Sequence, residues 1–183
     1  MDFVDADDQA LRMRTKLTPL LLTAWFAATA LSAQGPTGAG PADVDTPEHI
    51  VAALYDVISG PTGQARDWDR FRHLFAPGAR LIPVAPRKDA SAPAALSPDD
   101  YVERTRERFL KEGFFEKEIA RRAEAFGNMA HVFSTYESRR AAGDAKPMAR
   151  GINSIQLMKH DGRWWIVTVM WDQEREGNPL PEK

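Results

Sequence analysis

Residues 152–171 constrain the fold more than any other part of the chain. Two runs rich in β-branched, aromatic and long apolar residues, 152–160 and 163–171, are separated only by Asp161-Gly162. A two-residue hairpin loop favours a type I′ turn, whose central residues both need positive φ, and Asp-Gly meets that need. A long antiparallel hairpin follows. Reading back from it, four strands are predicted at 114–126, 129–141, 150–160 and 163–172, joined by Gly127-Asn128, by residues 142–149 and by Asp161-Gly162.

Side chains alternate across a strand, so each strand has two faces to assign. In the first strand Phe115, Ile119, Ala123 and Ala125 share one face, opposite Glu116, Glu118, Arg122 and Glu124. Pairing across the first turn carries the apolar face to Ala130, Val132, Ser134 and Tyr136. The last two strands are apolar on both sides. Asn153, Ile155, Leu157, Trp164, Ile166, Thr168 and Met170 make one face; Ile152, Met158, Trp165, Val167, Val169 and Trp171 make the other. A sheet with two apolar faces needs two covers, and helices supply one. The expectation is that Trp164, Ile166, Thr168 and Met170 face inward, while Trp165, Val167, Val169 and Trp171 form a homodimer contact. The assignment depends on the register across 142–149, where a slip of one residue exchanges the faces.

Helices precede the sheet. Thr46-Pro47-Glu48 supplies a cap, a tolerated first-turn proline and an acid at the positive end of the dipole. Ile50, Ala53, Leu54, Val57 and Ile58 then fall on one helical face until Gly60-Pro61. Asp67 caps a shorter helix with Trp68, Phe71, Leu74 and Phe75 as its stripe, ending at Pro77-Gly78. A short strand is expected at 79–84. Residues 85–96 form a Pro/Ala-rich loop without periodicity, read as a mobile connection or a lid. Ser97-Pro98-Asp99-Asp100 opens a third helix carrying Tyr101, Val102, Thr105, Phe109 and Leu110 inward, and Gly113 ends it. The class is α+β: a cone-shaped, curved antiparallel sheet packed against three N-terminal helices.

With 183 residues the chain suits one domain. A net charge of −2 argues against a nucleic-acid or polybasic membrane partner. Without cysteine there are no disulfides, no thiolate chemistry and no lipoprotein anchor. Arg12, Arg14 and Lys16 precede the apolar run 17–31, which Ser32 and Ala33 follow. This is the pattern of a secretory signal. The run is short for a membrane span, and Pro19 interrupts it. Cleavage is expected after Ala33, or after Ser32; an uncut signal anchor is the alternative. The acidic leader favours Met13 over Met1 as the start. The expected organisation is a signal at 1–33, a disordered linker at 34–45, one domain at 46–175 and a tail at 176–183. The location would be periplasmic or secreted, with no membrane attachment after cleavage.

The order of these elements resembles the nuclear transport factor 2-like superfamily (cystatin-like cone, SnoaL-like) over about residues 46–172. Three stretches carry the resemblance: Phe71-Arg-His-Leu-Phe-Ala-Pro-Gly-Ala79, Gly127-Asn-Met-Ala-His-Val-Phe-Ser-Thr-Tyr136 and Asp161-Gly-Arg-Trp-Trp-Ile166. They look like that superfamily's helix-to-strand corner, second long strand and last hairpin. The resemblance implies a cone with a pocket between sheet and helices. Members include ketosteroid isomerases, scytalone-dehydratase-like enzymes, polyketide cyclases and modules with no chemistry, so fold does not decide function.

The polar residues on the expected inner face are Lys117, Arg121, Ser134, Tyr136, Ser138, Asn153 and Thr168. Arg121 with Tyr136 and Asn153 would hold a carboxylate or enolate oxygen through a guanidinium fork and a phenol O–H. The alternative is that Arg121 and Lys117 reach to the rim and Tyr136 finds an internal partner. The expected ligand contacts are Tyr55, Arg121, Ser134, Tyr136, Asn153, Trp164, Thr168 and Met170. Proton transfer needs a tuned carboxylate or histidine, and this face offers no mid-strand acid. His73 and Asp56 are the candidate bases, with Tyr136 as oxyanion donor. Glu137 and His131 fall on the opposite face, about 20 Å apart. The four histidines, at 49, 73, 131 and 160, show no ligand spacing, so no metal is expected, and no cofactor is implied. The primary reading is an exported protein that binds a small hydrophobic or carboxylate-bearing molecule without chemistry. A cofactor-independent lyase or isomerase and a structural or interaction module are the alternatives. A deep cavity with a buried ionisable group favours the lyase or isomerase; a deep cavity without one favours binding alone; a filled interior favours the interaction module.

Overall fold

A computed structural model describes residues 38–84 and 93–181. The expected signal at 1–33, the start of the linker and most of the Pro/Ala-rich loop lie outside the described residues. The rest of the linker reading is corrected. Pro41–Val44 forms a helical turn, α1, that buries Val44 in the core. It also aims Asp43 at Arg70, whose guanidinium donates two hydrogen bonds to that carboxylate, at 3.0 and 2.9 Å. Burying one valine and pairing one acid is enough to hold a short segment that composition alone marks as loose.

The next helices start on the caps the sequence supplies. Thr46 Oγ1 accepts from the His49 N–H at 3.1 Å to open α2 (Pro47–Ile58). Asp67 accepts from the Arg70 N–H at 2.8 Å to open α3 (Trp68–His73). Helix α3 stops sooner than its apolar stripe suggests. The Ile166 N–H donates to the Leu74 carbonyl at 2.9 Å, and strand β1 (Phe75–Pro83) begins there. In α4 (Pro98–Glu112) Ser97 and Asp100 cap one another reciprocally, at 3.1 and 2.9 Å. Each arrangement satisfies helix-end N–H groups that would otherwise lack partners.

Four antiparallel strands follow: β2 (Phe115–Phe126), β3 (Met129–Arg139), β4 (Ala149–His160) and β5 (Arg163–Gln173). Asp161 at φ 49° and Gly162 at φ 77° make the expected turn between β4 and β5. The sheet order is β1-β5-β4-β3-β2. It is mixed rather than wholly antiparallel, because β1 pairs with β5 in parallel. The long connection through α4 allows that, since parallel neighbours need a crossover. The chain is thus α+β, with helices on one face of a five-stranded sheet that does not close into a barrel.

Two β-bulges correct the expected faces. In β2, Glu118 pairs with Tyr136 and Ala120 with Thr135, leaving Ile119 as an extra residue. Beyond it Arg121, Ala123 and Ala125 share a face with Ser134, Val132 and Ala130, as alternation predicts. Before it, Glu116 and Glu118 turn to that inner face, and Lys117 turns out to pair with Glu137 at 3.1 Å. In β5, Ile166 pairs with Leu157 and Thr168 with Gln156, so Val167 is extra. Trp164 and Ile166 are inside as expected, but Val169 and Trp171 replace Thr168 and Met170 there. The exchange buries a valine and half-buries a tryptophan, and spares a hydroxyl the same fate. Apolar burial of about 1.5–3 kcal/mol per large side chain outweighs the local disruption of one unpaired residue.

The core lies between this face and the helices. Ile50, Val51, Leu54 and Phe71 meet Val132, Ile155, Leu157 and Ile166. Across the sheet's other face, register aligns Phe133, Ser154 and Met170 in one row and Met129, Met158 and Trp165 in another. Of the residues expected at a homodimer contact, Trp165 stays on this outer face, whereas Val169 is buried and Trp171 packs against the core.

Candidate functional site

Between α4 and the inner sheet face lies a cavity of about 680 Å³. Its lining changes character with depth. The exposed residues Arg104, Arg108, Glu112, Arg140 and Met148 form the mouth. Leu54, Phe71, Leu81, Phe109 and Val169 make a buried apolar wall. Glu116, Tyr101, Tyr136, Asn153 and Trp171 also front it.

Glu116 is the carboxyl that fronts the cavity past the mouth. Burial pushes its carboxyl up to about 7 from 4.5, against the opposing effect of a hydrogen bond from Asn153. Asn153 Nδ2 donates to Glu116 Oε1 at 3.3 Å. The chain has three tyrosines, and all three lie within electrostatic reach of this carboxyl. Burial raises each phenol's pKa, and the Glu116 charge raises it further, so the phenols remain O–H donors at neutral pH. Tyr101 and Tyr136 line the cavity; Tyr55 stands behind it. The position of Tyr136 depends on Gly151, the residue paired with it on β4. A Cβ at Gly151 would lie 2.6 Å from the Tyr136 hydroxyl and 2.2 Å from the Asp172 carbonyl.

A directed chain of hydrogen bonds fixes Asn153 from behind. Its Nδ2 also donates to the Tyr55 hydroxyl at 3.0 Å. Tyr55 and Ser134 are joined at 2.7 Å, and Ser134 Oγ donates to Glu118. Glu118 in turn accepts from Arg121 Nε at 2.8 Å. Because the chain ends on a carboxylate that accepts only, each hydroxyl donates toward it. The amide N–H₂ is therefore the group presented to Glu116.

The structure brings together only part of the expected site. Tyr136 and Asn153 line the cavity; Tyr55 and Ser134 support it from behind. Arg121 keeps the inner face but does not meet Tyr136: it pairs with Glu118, which the bulge turns inward, at 2.8 Å, and with Glu48 at 3.8 Å. Trp164 is buried away from the cavity. Thr168 and Met170 face the other side of the sheet. Neither candidate base reaches the cavity. Asp56 is exposed on α2 and pairs with Arg70 at 2.5 Å. His73 is exposed on α3, with Nδ1 2.7 Å from the Asp69 carbonyl. The expectation of no inner-face acid is overturned by Glu116 and Glu118. One signal was available in the sequence: either alternation puts charge inward at 116–118, Lys117 in one and two glutamates in the other. His131 and Glu137 lie on the outer face, the former 3.0 Å from Ser154 Oγ and the latter paired with Arg139 at 2.9 Å. Among the described residues no cluster of three or more histidine or acidic side chains is arranged to hold a metal ion.

A second, shallower hollow of about 280 Å³ lies across the sheet, among Phe133, Ile152, Met170 and the tail residues Pro179, Leu180 and Pro181.

No family model and no curated protein matches this chain. Solved structures do match it. A protein of unknown function from Mycobacterium tuberculosis aligns over 70% of this chain and 69% of its own, at 15% identity and a TM-score of 0.55. A protein with a cystatin-like fold from Nostoc punctiforme aligns over 69% of this chain and 87% of its own, at 11% identity and 0.53. A candidate scytalone dehydratase from Novosphingobium aromaticivorans aligns over 70% and 81%, at 15% identity and 0.52. Identities this low carry the architecture alone. The chain has the cystatin-like fold of the nuclear transport factor 2-like proteins.

Proposed function

We propose that this protein is a cofactor-independent isomerase or lyase that moves a proton on a small molecule held in the cavity. The observation that carries the reading is the Glu116 carboxyl facing the cavity with the phenols of Tyr101 and Tyr136 on the same lining, in surroundings whose burial raises its pKa toward neutrality. A base whose pKa matches the working pH combines a usable unprotonated fraction with driving force for proton transfer. Glu116 takes a proton from carbon next to a carbonyl. Tyr101 and Tyr136 donate hydrogen bonds to the enolate oxygen that forms, and the apolar wall keeps competing water out. Returning the proton to another carbon gives an isomerase; loss of a leaving group from the enolate gives a lyase.

Incubation with a panel of apolar carbon acids in D₂O, followed by proton NMR, tests this. The expected result is loss of a C–H signal with wild type and no loss with Glu116→Gln. Exchange that is equal in both proteins, or absent throughout, would reduce the cavity to a binding site without chemistry.

We further infer export, from the basic-then-apolar pattern of residues 12–33, and pairing of two copies through the outer sheet face. Supporting the pairing, Phe126 is 80% exposed, Met129 61% and Met170 41%, on the side that carries Trp165.

A further inference from the structure

We propose that the cavity's substrate is an amphipathic acid, with an apolar body seated inside and an anionic group received at the mouth by Arg104 and Arg108. The proposal rests on the proton-transfer reading and adds a substrate class to it. The two arginines stand four residues apart on α4, so one turn stacks them on a single face. Both line the cavity and both are exposed. Other arginines of this region are occupied: Arg106 pairs with Glu103 at 3.5 Å, Arg140 with Glu112 at 3.1 Å, and Arg72 with Asp99 at 2.6 Å and Asp69 at 3.1 Å. Among the described residues Arg104 and Arg108 have no acidic partner within ion-pair distance. The Arg108 guanidinium stands 5.2 Å from the centroid of the Phe109 ring, a side chain that also lines the cavity. Stacking of this kind orients the guanidinium and leaves its edge donors free for a planar anion.

The rest of the lining fixes which end of a ligand points outward. Past the mouth the lining combines apolar side chains with the uncharged polar groups of Tyr101, Tyr136 and Asn153, and its one carboxyl is Glu116. An anionic group placed deep would meet that acid in a poorly solvated space; placed at the mouth it meets two forked donors instead. A cationic ligand would meet like charge at the entrance. The volume of about 680 Å³ is that of sites for drug-sized molecules.

Calorimetric titration with naphthalene-2-acetate and with its uncharged amide tests the proposal on the intact protein. Wild type is expected to bind the acid about tenfold or more tightly than the amide. The exposed double substitution Arg104→Gln/Arg108→Gln should erase that preference, through a loss of acid affinity that exceeds any change in amide affinity. Added salt should weaken the acid and not the amide. Equal affinity for the two probes in wild type, or binding of neither, overturns the proposal without recourse to any variant. Failure of the underlying reading looks different: acid preference present, but no Glu116-dependent exchange in D₂O.

Discussion

Asn153 donates one amide hydrogen bond to the Glu116 carboxyl, at 3.3 Å, and another to the Tyr55 hydroxyl, at 3.0 Å. Its donor face is thus committed by the chain running through Ser134 to Glu118. That donor favours the charged form of Glu116 and opposes burial. Replacing Asn153 with leucine removes the donor and deepens the apolar surroundings. The pKa of Glu116 should rise by about one unit or more. A carbon-13 titration of the glutamate carboxyls in the Asn153→Leu protein measures it.

Glu116 also imposes a pH dependence on stability. Its pKa is raised from 4.5 in the unfolded chain to about 7 in the fold. The folded protein therefore holds a proton that the unfolded chain releases. This group's stabilising contribution is fully present below pH 4.5 and is lost as pH rises through 7. Glu116→Gln keeps the shape and removes the titration. At pH 8 the variant should exceed wild type in stability by up to about 3 kcal/mol, and the difference should shrink toward pH 5. Urea unfolding at the two pH values checks the sign.

Gly151→Ala is expected to be far from conservative. The added methyl would lie 2.2 Å from the Asp172 carbonyl and 2.6 Å from the Tyr136 hydroxyl. The neighbouring strand's backbone has little room to give, so Tyr136 must move. A loss of about 1–3 kcal/mol is expected, together with a change in the near-ultraviolet signal of the tyrosines. The mutant Tyr136→Phe, which frees the hydroxyl's space, should recover part of that loss in the Gly151→Ala background.

The two tryptophans Trp165 and Trp171 should behave as opposites. Trp165 lies on the outer face, under the Arg163 guanidinium at 3.7 Å from its ring centroid. Trp171 fronts the cavity and meets Tyr101 edge-on at 6.4 Å. Trp165→Glu should leave the melting temperature nearly unchanged and move the sedimenting mass from two copies to one. Trp171→Glu should destabilise the fold itself by about 3 kcal/mol or more, because it puts a charge against the core. A mass that Trp165→Glu leaves unaltered would contradict the pairing.

The helices and the last hairpin were legible because their signals are local. Thr46, Asp67 and Ser97 each cap the helix they precede, and Asp161-Gly162 can turn in few other ways. The candidate site was not, because it depends on two insertions in the strand rhythm. Strict alternation carries Ile119 and Lys117 inward with Ala123, and Thr168 and Met170 inward with Ile166. One extra residue at Ile119 and another at Val167 undo both assignments. A bulge is chosen by the whole sheet's packing and leaves no mark in a short window. Tyr136 and Asn153 were identified correctly as inward because they sit on β3 and β4, away from either bulge. The parallel place of β1 was likewise hidden, since it depends on a partner about ninety residues away in the chain, as in the pairing of Phe75 with Ile166.

Carbon-13 NMR titration of the glutamate side-chain carboxyls, with the Glu116 resonance identified by its absence in Glu116→Gln, addresses the central claim directly. With Glu116 turned into the cavity, burial is expected to hold its midpoint at about 7. A midpoint near 4.5 would mean that the carboxyl is in water, and with it would go both the inward face and the proton-transfer chemistry built on it.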